Sequence, residues 1–582
     1  MGMIQVLSKA PGIHMLAHYR ASWLRYDIVA GLVLTTLLVP QGMAYAELAG
    51  LPVITGLYTT ILCLIAYALI GPSRRLVLGP DSSLGPMIAA TILPIMVAGG
   101  NPGEAVALAS MLALLVGIIM LVAGIAKLGF VADLLSKPTQ IGYMNGLALT
   151  IFVGQLPKLF GFSTDASGLL GEIGAFLQGL MHAEVVVAAA GIGLLSLGLV
   201  LVLERWLPRV PGVLVAVLVA LGLSTLLSLE HKGVSLVGSL PQGLPPFTIP
   251  NVWEHLPLLL GGALGIALVA LTDTISTASA FAARSKQEVH GNGEMIGIGA
   301  ANIAAGLFQG FPVSTSGSRT AVAEQAGAKT QLTGLVGAAA IVLMLLLAPG
   351  LLKNLPQPTL AAIVIAAAIS LADVPGMVRL WQQRRTEFML AGAAFLGVAF
   401  LGVLQGIGIA VLLSILNVFR RVWWPYQTTL GRVSGLRGHH DLRMYPKAKQ
   451  LSGVIIYRFD APLLFANSRI FKEQMRHLAR THRNLAYIII AAEPITDVDT
   501  TAADMLLTLD EELNAKGISI VFAGLKDPVR SKLERYELIG PLNPHHFYPT
   551  VGAAADAYRQ QTGISWKRPK PRAQPDVAPA SP

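Results

Sequence analysis

Gly79-Pro80-Asp81-Ser82-Ser83-Leu84-Gly85-Pro86 and Phe311-Pro312-Val313-Ser314-Thr315-Ser316-Gly317-Ser318-Arg319-Thr320 are two polar runs set inside otherwise apolar sequence. Both fall where hydrocarbon depth is expected, and polar backbone is tolerated at that depth only where it is buried in protein or lines a cavity. Paired interrupted helices in corresponding halves of a chain point to the midplane site of a transporter. The fold therefore turns on whether the surrounding sequence supplies two matching halves.

Between Asp27 and Arg420, apolar segments recur about fourteen times, several of them too short to cross a bilayer alone, and the two polar runs are the third segment of each set of seven. This predicts an α-helical polytopic membrane domain in a 7+7 inverted repeat. Basic clusters at Arg74/Arg75, Lys127, Arg205/Arg209, Arg284/Lys286, Lys329, Arg384/Arg385 and Arg420/Arg421 fall on cytoplasmic loops of a threading with both termini inside. The composition agrees, with 54% hydrophobic residues, 13% charged and a mean hydropathy of +0.63. The net charge of +10 is explained by these flanking Lys and Arg residues and calls for no nucleic-acid partner.

Half of the charged side chains lie in 421–582, where strand and helix patterns alternate as in a small α/β domain. The expected organisation is a cytoplasmic segment 1–26, a transport domain 27–421, a linker 422–452, an α/β domain 453–560 and a disordered tail 561–582. The lone Cys63 excludes an intramolecular disulfide, and no Ser/His/Asp arrangement, phosphate loop or metal-spaced cluster appears. An enzyme, a cofactor and a metal site are not expected.

Half-helices starting at Ser82 and Ser316 aim unpaired backbone N–H groups and positive dipole ends at one spot, which attracts an anion. Ser82, Ser83, Ser316, Gly317 and Ser318 belong to that spot, and Arg319 adds a fixed positive charge. The alternative for Arg319 is a structural pairing with Asp273, Glu324 or a carbonyl. Asp81 either caps a helix or shapes the anion site. Gln41, after Pro40, offers an amide to an oxyanion. Asp273 and Thr277 sit one turn apart on one helix face, and an intramembrane acid is a coupling site for a proton or sodium unless it is a salt-bridge partner. Glu47 and Glu294 lie near predicted span ends, within reach of water or headgroups.

Val39-Pro40-Gln41-Gly42-Met43-Ala44-Tyr45-Ala46-Glu47-Leu48-Ala49-Gly50-Leu51-Pro52-Val53-Ile54-Thr55-Gly56-Leu57-Tyr58 closely resembles the opening signature of the sulfate permease (SulP) family, bacterial relatives of the animal anion exchangers and prestin. Ser73-Arg74-Arg75, Asn292-Gly293-Glu294-Met295 and the second polar run also match, and the C-terminal part looks like a STAS domain. The resemblance implies a core domain moving against a gate domain, commonly in a homodimer, with an anion between the third and tenth helices. It carries anion-site roles to Gln41, Ser82, Ser83, Ser318 and Arg319. Asp273 stands where most members have Glu and, with Thr277, is similar to the sodium-binding pair of cyanobacterial bicarbonate members. Arg319 is the sulfate-type choice. Asp499-Thr500-Thr501 occupies the place of the STAS Asp-Ser-Ser motif, which makes Thr500 and Thr501 candidate regulatory sites with a possible cytosolic protein partner.

Proton-coupled sulfate uptake at a bacterial inner membrane is the leading expectation. Sodium-coupled bicarbonate or a C4-dicarboxylate, a passive anion channel or motor, and a STAS scaffold with vestigial transport are its competitors.

Overall fold

The computed structural model describes residues 11–97, 102–130, 135–164, 166, 168–207, 210–285 and 290–567. The chain divides into two compact units, Met1–Ile415 and Leu416–Pro582.

The first unit is helical. After the short α1 (Pro11–Ala17) come α2 (Leu24–Leu48) and α3 (Val53–Ile70), a two-residue strand β1 (Leu78–Gly79), then α4 (Gly85–Val97), α5 (Pro102–Ile125) and α6 (Lys137–Leu159). A short apolar helix α7 (Leu169–Met181) leads to α8 (Val187–Trp206) and α9 (Gly212–Leu226), which complete the first set of seven segments. The second set comprises α10 (Leu256–Ser285), α11 (Gly291–Leu307), strand β2 (Ser314–Thr315) with α12 (Gly317–Gln325), α13 (Leu332–Leu347) and α14 (Gln357–Leu371). It ends, past a strongly amphipathic α15 (Val374–Gln383), with α16 (Arg385–Leu396) and α17 (Val403–Trp423). Because seven crossings are odd, the second set must run through the bilayer in the opposite sense to the first. Among the described residues seven helices are individually long and apolar enough to cross a membrane, and four shorter apolar helices accompany them.

The two sets interleave instead of standing side by side. Helix α2 packs on α3 and α13, α3 on α11, and α5 on α10 and α11, so the first four segments of both sets form one body. Helices α6, α8 and α9 pack with α14 and α16 into a second. Small residues let these helices approach closely, as membrane helices do in the absence of a hydrophobic driving force. A methyl added at Gly56 would lie 1.9 Å from the Gly42 carbonyl oxygen. Asp27, expected as the start of the first span, is fully buried one turn inside α2. Its carboxylate accepts from the backbone N–H of Lys329 (2.6 Å) and Thr330 (3.1 Å) and from the hydroxyls of Thr330, Thr333 and Tyr19.

The second unit is a six-stranded sheet of order β4-β3-β5-β6-β7-β8. Its strands are β3 (Gln427–Gly431), β4 (His440–Asp441), β5 (Val454–Phe459), β6 (Tyr487–Ala491), β7 (Ser519–Ala523) and β8 (Phe547–Tyr548), of which β5 to β8 run parallel. Helices α18 (Ser468–Thr481), α19 (Thr500–Asn514), α20 (Asp527–Arg535) and α21 (Val551–Thr562) complete it. The stretch read as a linker from 422 to 452 contributes the β3–β4 edge, since Gln427 to Leu430 pair antiparallel with Phe459 to Ile456. Order also continues past 561. Trp566 packs beneath the sheet and Lys567 pairs with Gln450 through backbone hydrogen bonds, while 568–582 of the expected tail lie outside the described residues. Arg476 forks onto Glu512 at 2.8 and 2.5 Å, and with Lys472 holds this carboxylate down to about 2.

Candidate functional site

The two polar breaks meet. Leu78 pairs antiparallel with Thr315 and Gly79 with Ser314, so backbone groups that lack helix partners at membrane depth satisfy each other. Ser316 N–H bonds the Val77 carbonyl at 3.1 Å, and Val77 N–H bonds Thr320 Oγ1 at 3.1 Å, extending the join on both sides. Asn302 braces the second break by accepting from Val313 N–H at 2.9 Å and donating to its carbonyl at 3.2 Å.

From this join two helices start. Ser316 caps α12, its hydroxyl accepting weakly from Arg319 N–H at 3.5 Å, so this half-helix starts at Ser316 as expected. The first half-helix begins at Gly85, not Ser82. Asp81 turns the chain there, its carboxylate accepting from Ser83 N–H (3.1 Å) and Ser83 Oγ (2.6 Å), and its carbonyl receiving Leu84 and Gly85 N–H. The short Asp side chain competes successfully for the local backbone and delays the helix by one turn. Ser82, Ser83 and Ser316 are buried, whereas Gly317 and Ser318 are exposed, so the start of α12 opens onto accessible space.

Arg319 is 1% exposed, and its Nε, Nη1 and Nη2 have no hydrogen-bond partner among the described residues. The carboxylate that approaches it is Asp81, with Oδ1 4.0 Å from Nη2. The structural partners considered from sequence are engaged elsewhere. Asp273 Oδ2 accepts from Ser83 Oγ at 3.1 Å, and Glu324 pairs with Arg75 at 3.0 Å. Gly79 makes room for the guanidinium, because a methyl there would stand 2.6 Å from Nη1. Gln41 contributes a further buried, unpartnered atom, Oε1.

Asp273 is 9% exposed on α10 and its Oδ1 has no hydrogen-bond partner among the described residues. Thr277, one turn on, is half-buried. Ser83 Oγ touches both Asp81 and Asp273, yet a hydroxyl has one proton to donate, so it cannot serve both ionised carboxylates at once.

Two residues, Tyr143 and Thr274, escaped the sequence reading, and Glu294 is more deeply buried than its place near a span end suggested. Tyr143, fully buried with an unpartnered hydroxyl, comes from α6 to stand beside Asp273. Thr274 accepts from Thr315 at 3.2 Å and ties α10 to β2. Glu294 is 1% exposed, not within reach of water, and is held by the hydroxyls of Tyr67 (2.7 Å) and Ser73. Glu47 pairs with Lys158 at 3.0 Å and stays partly accessible, as a place near a span end suggests. A polar residue within an apolar run was the available signal in each case, and sequence does not show which neighbour it meets.

In the second unit Asp499 caps α19 by accepting from Ala502 N–H at 2.8 Å, and Thr500 and Thr501 are exposed in its first turn.

The Sulfate permease family model matches residues 24–394 and the STAS domain model residues 445–554. A probable sulfate transporter of Mycobacterium tuberculosis (strain CDC 1551 / Oshkosh) is 42% identical over 556 residues, covering 95% of this chain and 98% of that protein. Probable sulfate transporter 4.2 of Arabidopsis thaliana is 31% identical over 548 residues, covering 91% and 80%. Among solved structures, the murine Slc26a9 anion transporter in the inward-facing state superposes with a TM-score of 0.86 at 22% identity, covering 96% of this chain and 95% of that one. The transmembrane domain of the cyanobacterium bicarbonate transporter BicA gives 0.58 at 21%, covering 68% and 98%. These structural likenesses establish a shared fold, and the sequence matches establish kinship with transporters rather than enzymes. A multi-pass membrane domain with two interleaved seven-segment halves joined at their third members, followed by a STAS domain, makes this chain a member of the sulfate permease family.

Proposed function

We propose that this protein is a secondary active transporter that takes up sulfate with protons across a bacterial inner membrane, with both termini cytoplasmic. The observation that carries the reading is the buried Arg319 guanidinium, five donors with no acceptor among the described residues, beside the start of α12. A charged side chain in that state is costly at membrane depth, and a bound oxyanion relieves it. Sulfate, which the names of the sequence relatives carry, suits a site of one full positive charge and two helix N-termini of roughly half a charge each. Gln41, the Ser82 backbone and Gly317/Ser318 supply further donors, while the Ser83 N–H is held by Asp81, which sets the far wall. Alternating access is then the sliding of the body that holds both breaks against the body built on α6 and α14, in an elevator-type movement.

The coupling role falls to Asp273. Ser83 stands between Asp81 and Asp273 with one proton for two carboxylates, so a proton taken up by this pair completes the hydrogen bonding. Sodium is the second reading. The unpartnered Asp273 Oδ1 and the Thr277 hydroxyl offer hard oxygen ligands, and bicarbonate is then the companion anion. A homodimer, and control through phosphate on Thr500 or Thr501 at the positive end of α19, belong to the same proposal.

Uptake of labelled sulfate, bicarbonate and fumarate into proteoliposomes, with pH and sodium gradients imposed separately, tests it. Sulfate accumulation driven by an inward proton gradient without sodium is expected. Sodium-dependent bicarbonate uptake, or flux that follows only the anion's own gradient, overturns it.

A further inference from the structure

We propose that Glu104, Glu254 and His255 form a zinc site that staples the start of α5 to the start of α10. Glu104 lies in the first turn of α5, and Glu254 and His255 lie in the 3-10 turn Trp253–His255 that runs directly into α10. Their ligand atoms all lie within 4.8 Å of one another. His255 Nε2 stands 3.3 Å from Glu104 Oε1 and 3.6 Å from Glu254 Oε1.

A simple ion pair accounts poorly for this arrangement. One imidazole nitrogen carries at most one proton, so it can donate to only one of the two carboxylates it faces. A metal ion serves all three. Zinc bound to nitrogen and oxygen at about 2.0–2.2 Å in a tetrahedron separates its ligand atoms by roughly 3.3–3.6 Å, close to the two spacings from His255 Nε2. The donor set selects the ion as well, because an imidazole with two carboxylates suits zinc, whereas calcium and magnesium prefer oxygen throughout.

The site is also reachable. The Glu254 side chain is 79% exposed, while those of Glu104 and His255 are about one quarter exposed. Zinc can thus enter from the exposed side and become partly shielded, with the fourth coordination position left to water. None of the three residues belongs to either polar break, so the site is separate from the anion site and its test is independent of the transport reading.

Full-length protein in nanodiscs, stripped by a chelator, is titrated with zinc against a chromophoric competitor. Wild type is expected to bind one equivalent at least ten-fold more tightly than His255→Ala or Glu104→Gln. Zinc is also expected to raise its unfolding temperature, and both variants to lose that rise while binding sulfate normally. Should either variant fail to fold, Glu254→Gln at the exposed ligand carries the same expectation. Equal zinc affinity in wild type and His255→Ala, no bound equivalent in wild type, or full competition by millimolar calcium or magnesium would overturn the proposal.

Discussion

Arg319 Nη2 stands 4.0 Å from Asp81 Oδ1, across the join in which Leu78 pairs with Thr315 and Gly79 with Ser314, and no guanidinium nitrogen has a hydrogen-bond partner among the described residues. The charge is near enough to Asp81 to be partly balanced and too far to be bonded, which leaves its donors for a ligand.

Arg319→Ala is accordingly expected to weaken sulfate binding at least ten- to hundred-fold, the order of magnitude of a lost charge-assisted hydrogen bond. Arg319→Lys should recover part of it, since an ammonium keeps the charge and loses the planar fork. Binding calorimetry in nanodiscs measures both, and near-normal affinity in Arg319→Ala contradicts the site assignment.

Gly79→Ala probes the same site without touching a charge. The added methyl falls 2.6 Å from Nη1 and 3.2 Å from Cζ of Arg319, so the guanidinium must move. Overpacking of this kind costs about 1–3 kcal/mol, and sulfate affinity should drop roughly ten-fold or more. An unchanged chromatographic profile and unfolding temperature would locate the effect at the site.

Asp273→Asn mimics a permanently protonated acid. If protons drive uptake, the variant should bind sulfate and exchange one anion for another but fail to accumulate sulfate against a gradient. If sodium drives uptake, Asp273→Asn and Thr277→Val should both weaken sodium stimulation. Proton-driven accumulation by Asp273→Asn at the wild-type level, with no sodium dependence in the parent, leaves Asp273 a structural residue.

Asp27→Ala removes the shared acceptor of five donors. Buried N–H groups left without a partner cost about 1–3 kcal/mol each, so several kcal/mol of stability should go. Thermal aggregation of the detergent-solubilised protein should shift to markedly lower temperature, with Asp27→Asn intermediate.

Glu512 gives a pH test in the STAS domain. Its carboxylate is depressed to about 2 in the folded state by Arg476 and then Lys472, against an ordinary value near 4.5. The stabilisation is therefore complete above about pH 4.5 and lost as pH falls towards 2. Hydrogen exchange of α18 and α19 peptides, wild type against Glu512→Gln at matched pH, should show faster exchange in the variant at pH 7 and a shrinking difference below pH 4.5. A difference independent of pH would assign the effect to packing.

Much of this architecture is legible in the sequence, because the solvent imposes it locally. A bilayer requires some 20 apolar residues per crossing, so the helical segments announce themselves, and the polar runs at 79–86 and 311–320 can stand at that depth only inside a protein-lined site. Ser316 as a helix cap is likewise a local matter, settled within three residues. What lies between segments was decided only in three dimensions. Asp81 and not Ser82 governs where α4 begins, Asp81 and not Asp273 or Glu324 approaches Arg319, and Glu294 is sealed by Tyr67 and Ser73. Gln427 to Leu430 join the sheet because β5 is there to receive them, and Glu104 meets His255 across 150 positions of chain. The physical reason is that burial in a membrane is a property of composition along a stretch, whereas the partner of a buried charge depends on which distant side chains the packed helices bring within a few ångströms, and no periodicity in the sequence encodes that choice.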